Sequence, residues 1–116
     1  MDDASLLDEV FEMANLSEAK TGIPGVVCIS TRQGARVKYF ERAGRDQPSF
    51  SVSIDEAPEV VVSSLPERVV ALRAPQVVAW VRLNNAALAE FWNEGDSWLD
   101  EEVTAFKKRL KKVPRR

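Results

Sequence analysis

The chain has no histidine, a single cysteine and only five glycines among its 116 residues. Without histidine there is no side chain whose unperturbed pKa lies near neutrality. The usual general base, the relay of a nucleophilic triad and the commonest transition-metal ligand are therefore missing. One thiol, Cys28, builds neither a thiolate metal cage nor an intramolecular disulfide framework. The glycines are scattered, so no phosphate-cradling loop is present. No apolar run approaches the length that spans a bilayer, and Met1-Asp2-Asp3-Ala4 is acidic where an export signal is basic. These absences predict a cytoplasmic protein away from membranes, with no cofactor and no enzymatic activity.

What is present is the composition of one globular domain, 45% hydrophobic and 29% charged, long enough to bury a core. Its charge is unevenly placed. Residues 107–116 hold seven cations and no acid, leaving nine Lys/Arg against all 18 Asp/Glu elsewhere, a net −9. An acidic body with a basic end is the clearest electrostatic feature.

Periodicity gives the expected elements. Leu6, Val10 and Met13, with Leu7, Phe11 and Ala14, recur at helical spacing after Ser5, with Gly22 as the stop. Val26-Val27-Cys28-Ile29 reads as a strand covered on both faces, and Arg36-Val37-Lys38-Tyr39-Phe40-Glu41 as its half-exposed return. Phe50, Val52 and Ile54 alternate with Ser49, Ser51 and Ser53, which predicts a third strand whose serine face is either exposed to solvent or the polar floor of a groove; Val60-Val61-Val62 is a short apolar run after Pro58. Ser64-Leu65-Pro66-Glu67 reads as a capping box, and Pro75 is expected to divide a short helix at 65–73 from a longer one at 75–93. Ser97 then caps a last helix with Asp100, Glu101 and Glu102 in its first turns. The order predicts an α+β domain over residues 1–116, with a small antiparallel sheet of three or four strands packed against helices.

Within that order, Gln47-Pro48-Ser49-Phe50-Ser51-Val52 is followed by the Leu65-Pro66 helix entry. Next comes a long helix carrying Trp80, Asn84, Leu88 and Phe91-Trp92. On these motifs the stretch from Val37 to Trp92 resembles a family of small bacterial domains of unknown function (domain-of-unknown-function 4160). The resemblance implies a hairpin, two further short strands and a long helix. It also implies a role that depends on a small partner protein. Ser49 and Ser51 stand where that family typically places two histidines, so any chemistry those imidazoles perform is not available at these positions.

Three features are candidates for function. In the terminal helix, Leu99, Val103, Phe106, Leu110 and Val113 fall at steps of four and three. Such a narrow stripe suits either docking on the chain's own domain or a contact with a protein partner or second copy. The cations Lys107, Lys108, Arg109, Lys111 and Lys112 exceed what a helix macrodipole asks for and are candidates for the same partner contact. Arg32, Arg36, Lys38, Arg42 and Arg45, interleaved with Tyr39 and Phe40, form a basic hairpin that either is solvated or meets nucleic acid. The leading expectation is a protein-binding module acting through a partner or self-association, with nucleic-acid binding as the alternative. Deletion of residues 99–116 is expected to abolish association and leave a folded core.

Overall fold

A computed structural model describes residues 14–29, 36–42 and 47–114. Its five strands are β1 (Ala14–Leu16), β2 (Val26–Ile29), β3 (Arg36–Phe40), β4 (Ser49–Ser53) and β5 (Val60–Ser63). They form one antiparallel meander in chain order. The helices are α1 (Glu18–Thr21), α2 (Glu67–Leu83), α3 (Asn85–Glu94) and α4 (Asp100–Arg109), with a 3₁₀ turn at Gly95–Ser97. The architecture is α+β, and its sheet has five strands where three or four were expected. The added strand is β1, which pairs Ala14–Leu16 with Val27–Ile29.

The expected first helix is corrected on this point. Residues 1–13 lie outside the described region, but Ala14, Asn15 and Leu16 are extended and only one helical turn follows. Their backbone groups complete the free side of β2, and cross-strand hydrogen bonding outweighs the 3.6-residue pattern.

Register separates the faces of the sheet. Leu16, Val27, Tyr39 and Phe50 stand opposite one another across four strands, as do Ile29, Val37 and Val52. These residues are buried, together with Val77, Trp80 and Val81 of α2 and Leu88 and Phe91 of α3. Tyr39 stacks on Phe50 at 5.0 Å between ring centroids. The other face carries Asn15, Cys28, Lys38, Ser51 and Val62. Ser51 is only 4% exposed, so the serine row is not a solvent face throughout. Opposite Ser51 and Val52 the β5 register slips, leaving Val61 as a bulge on an edge strand.

The Pro75 boundary is also corrected. Helix α2 runs through Pro75 and stops at Asn84, whose φ of −110° leaves the helical range. Proline removes one hydrogen bond, to the carbonyl of Ala71. Ala71 is exposed, so water meets that carbonyl, while Val77, Trp80 and Val81 anchor the following turns in the core. Ser64 does not cap α2. It clips β4 instead, accepting from the Ser49 N–H at 3.0 Å and donating to the Ser49 carbonyl at 3.2 Å. No described helix is long and apolar enough to cross a membrane.

Candidate functional site

The C-terminal segment is built into the domain. Phe106 is fully buried and stacks on Phe91 at 4.7 Å, with Trp98 packed against both rings. Val103 and Val113 are buried as well, and Leu110 packs partly against the core. Of the expected stripe only Leu99 faces solvent, at 67% exposure. Helix α4 ends at Arg109, and Leu110 to Val113 continue without regular structure. Apart from Leu99 the stripe is thus packed into the core, which weighs against the expected separability of this segment. The cap is also different: Ser97 donates to the Glu94 carbonyl at 2.8 Å, and the Leu99 N–H is met by the Glu102 carboxylate at 3.1 Å.

One side chain and one backbone carbonyl hold residues 110–114 in place. Asn84 is 4% exposed and gives its amide hydrogens to the carbonyls of Trp80 (2.9 Å) and Lys111 (3.0 Å). Its Oδ1 accepts the Lys111 N–H at 2.7 Å. An asparagine that pairs in both directions with the backbone of a distant segment satisfies itself where a helix ends. Next to it, the Val113 N–H donates to the carbonyl of Thr21, 2.9 Å away. Thr21 is fully buried, and its hydroxyl accepts the Ile23 N–H at 3.0 Å.

Between α1, α2 and this clamped segment lies an open cleft of about 580 Å³ lined by Glu18, Gly22, Pro24, Arg73, Pro75, Gln76, Ala79, Val113 and Pro114. Its walls are closely fitted. Gly22 has φ +81°, and a Cβ there would stand 2.5 Å from the Val113 carbonyl oxygen. At Gly25 (φ +111°) a Cβ would meet the Tyr39 hydroxyl at 2.6 Å. That hydroxyl donates to the Pro24 carbonyl at 2.6 Å and ties β3 to the cleft wall. Burial pushes the Tyr39 phenol above its ordinary pKa; the neighbouring Arg73 guanidinium pulls it back, and Glu41 adds to the rise. Arg73 Nη1 donates to Gln76 Oε1 at 3.1 Å. Among the described residues Arg73 forms no ion pair.

The remaining predicted cations lie elsewhere. Lys108, Lys111 and Lys112 are exposed and Lys107 is half-buried on a ridge from the end of α4 onward. Arg109 is engaged by Glu90 at 2.8 Å. Arg36 and Lys38 share the sheet face opposite the helices, half-buried, and Arg42 is exposed just after β3. Arg32 and Arg45 lie outside the described residues. No cluster of three or more His, Cys, Asp or Glu side chains suited to a metal occurs among the described residues.

Sequence reasoning missed Arg73, Gln76, Asn84 and Thr21. Arg73 sits in a helix where a lone arginine is ordinary, and only the cleft distinguishes it. Asn84-Asn85 inside an apolar helical run was the one available signal of a break. No family model matches the chain, and no curated protein or solved structure matches it either.

Proposed function

We propose that this chain is a protein-binding module, not an enzyme, and that it takes a segment of a partner protein into the cleft beside α2. The observation that carries this reading is the cleft itself, whose volume of about 580 Å³ lies within the usual range for binding sites. Its lining sets apolar Pro24, Pro75, Ala79, Val113 and Pro114 beside polar Glu18, Arg73 and Gln76, a mixture that gives contact area with a defined orientation. The Asn84, Thr21 and Tyr39 hydrogen bonds fix three sides in advance, so little ordering remains to oppose binding. Lys108, Lys111 and Lys112 supply long-range attraction for an acidic partner. The resemblance over Val37 to Trp92 points the same way, toward a role that depends on a small partner protein.

A photo-crosslinking residue at Ala79, compared with one at exposed Thr104, tests the reading in the native cell. One identified partner crosslinked from position 79 and not from 104, and lost from the Ala79→Arg variant that fills the cleft, is the expected result. Equal crosslinking from both positions, or association unaffected by Ala79→Arg, overturns it.

A second reading, nucleic-acid binding, draws on Arg36 and Lys38 standing on one sheet face two residues apart, with Phe40 in the same alternation. Four phosphate contacts would give log K a slope of about −4 against log salt on duplex DNA. The net −9 outside residues 107–116 opposes it. Absence of any mobility shift at low ionic strength ends that reading.

A further inference from the structure

We propose that Arg73 is the receptor for the C-terminal carboxylate of the partner segment, and that the cleft is a pocket for a protein chain end. The inference rests on the protein-binding reading and adds the ligand's chemistry to it.

Arg73 is the only cation among the described lining residues. It is half-buried, and its charge is met by two neutral groups, the Gln76 amide oxygen at 3.1 Å and the neighbouring Tyr39 phenol. A guanidinium carries five N–H donors in a planar fork that matches a carboxylate in bidentate fashion. Gln76 takes one donor on Nη1, so the fork is positioned in advance without being neutralised. A partly desolvated cation that forms no ion pair among the described residues is a charge whose counterpart a ligand can supply.

The rest of the lining selects which anion. A phosphate dianion asks for several cations or a cluster of backbone N–H groups; the described lining supplies one cation, and Pro24, Pro75 and Pro114 have no N–H to give. Glu18 stands at the same cleft with an interaction of its own, and it penalises a dianion more than a monoanion. The three prolines also disfavour an extended chain running through, because its peptide carbonyls would lie unpaired where they pass them. A chain end places the fewest peptide groups inside and finishes on a single negative charge. The apolar faces of Ala79, Val113 and the prolines then accept aliphatic side chains of the last residues.

The test uses the full-length, isotope-labelled chain and pools of N-acetylated tetrapeptides of aliphatic residues, made as free acids, as C-terminal amides, and as amides with one internal aspartate. The free acids are expected to shift the amide resonances of Gly22, Arg73, Gln76 and Ala79 saturably, and the plain amides to bind about tenfold more weakly. Arg73→Gln removes the preference for acid, Arg73→Lys keeps part of it, and Glu18→Gln strengthens the acids by relieving repulsion. Should Arg73→Gln fail to fold, the acid–amide comparison on the unaltered chain decides alone. Acids and amides binding the cleft equally would overturn the carboxylate assignment while leaving the module reading intact. A preference for the internal-aspartate amides would overturn the chain-end assignment. No peptide pool shifting the cleft resonances would overturn both readings.

Discussion

Residues 107–116 carry seven cations and the described lining of the cleft beside α2 holds one, yet the single charge is the more constrained. On the terminal ridge, Lys108, Lys111 and Lys112 are exposed, and Arg109 pairs with Glu90 across side chains that are 49% and 43% exposed. Such charges are hydrated and screened, and an exposed pair is worth about 0–1 kcal/mol. Arg73 is held by Gln76 beside a buried phenol, where a charge interacts more strongly because less water surrounds it. The contrast teaches that density of charge in a sequence locates a solvated surface, whereas shelter locates a site. It also shows that the stretch joining the two regions, from Trp98 to Val113, belongs to the fold before it belongs to any interface.

The largest effect should come from that joining stretch. Phe106→Ala removes a fully buried ring stacked on Phe91 and touching Trp98. A loss of about 3–5 kcal/mol is expected, lowering the thermal midpoint by more than about 10 °C. Truncation after Trp98 should not leave a folded domain. A circular-dichroism melt checks both, and a truncated chain that melts cooperatively near the full-length midpoint would return residues 99–114 to the role of a detachable arm.

Asn84→Ala comes next. It orphans the Lys111 N–H and carbonyl and removes the second donor from the Trp80 carbonyl, which keeps the Asn84 backbone N–H, a cost of about 1–3 kcal/mol. Hydrogen exchange at Lys111 and Val113 should quicken more than exchange in β3. Equal quickening everywhere would mean that Asn84 supports global stability without clamping this segment.

The third test reads the sheltered region through Tyr39, the chain's sole tyrosine. Its folded pKa is raised, chiefly by burial, so the neutral phenol is favoured in the native state. The stability this contributes is fully present below the unfolded value of about 10 and is lost as pH rises from there through the folded value. Tyrosinate absorbance near 295 nm should therefore appear above pH 10 and rise together with the loss of near-ultraviolet dichroism. Arg73→Gln withdraws a nearby positive charge, so the absorbance should appear at still higher pH. An unchanged titration in that variant would separate Arg73 from the phenol.

The fold was largely legible where burial and backbone demand the same pattern. In β4, alternation places Phe50 and Val52 inward and the structure buries both. In β2, the unbroken Val26-Val27-Cys28-Ile29 reads as covered, and its last three residues are. Legibility failed where a partner distant in sequence decides. Ala14–Leu16 is a strand because β2 needs a neighbour, and no local signal competes with the helical period around it. Pro75 stays inside α2 because the following turn is anchored by Trp80, and the break falls at Asn84 because Lys111, 27 residues on, receives its side chain. Of the stripe from Leu99 to Val113, Val103, Phe106 and Val113 are buried while Leu99 is exposed, and the ring that Phe106 stacks on, Phe91, lies on another helix. The cleft was illegible for the same reason: its lining comes from α1, α2 and the clamped segment, and none of these carries a local motif.

The smallest expected effect is on the ridge. Replacing Lys108, Lys111 and Lys112 together by glutamine removes three exposed charges, of which only Lys108 lies within α4. A cation in a last turn contributes about 0.3–1 kcal/mol through the helix dipole, and the other two fall beyond the helix, so the total should stay within about 1 kcal/mol. Peptide acids should still shift Gly22, Arg73, Gln76 and Ala79 at unchanged concentration, because none of the three lysines lines the cleft. What should change is the rate at which an acidic partner arrives: slower at low salt, converging with the unaltered chain as salt is raised. A triple variant that lost the partner altogether, with peptide binding at the cleft untouched, would invert the comparison, because recognition would then reside in the crowded charges and the sheltered one would be incidental.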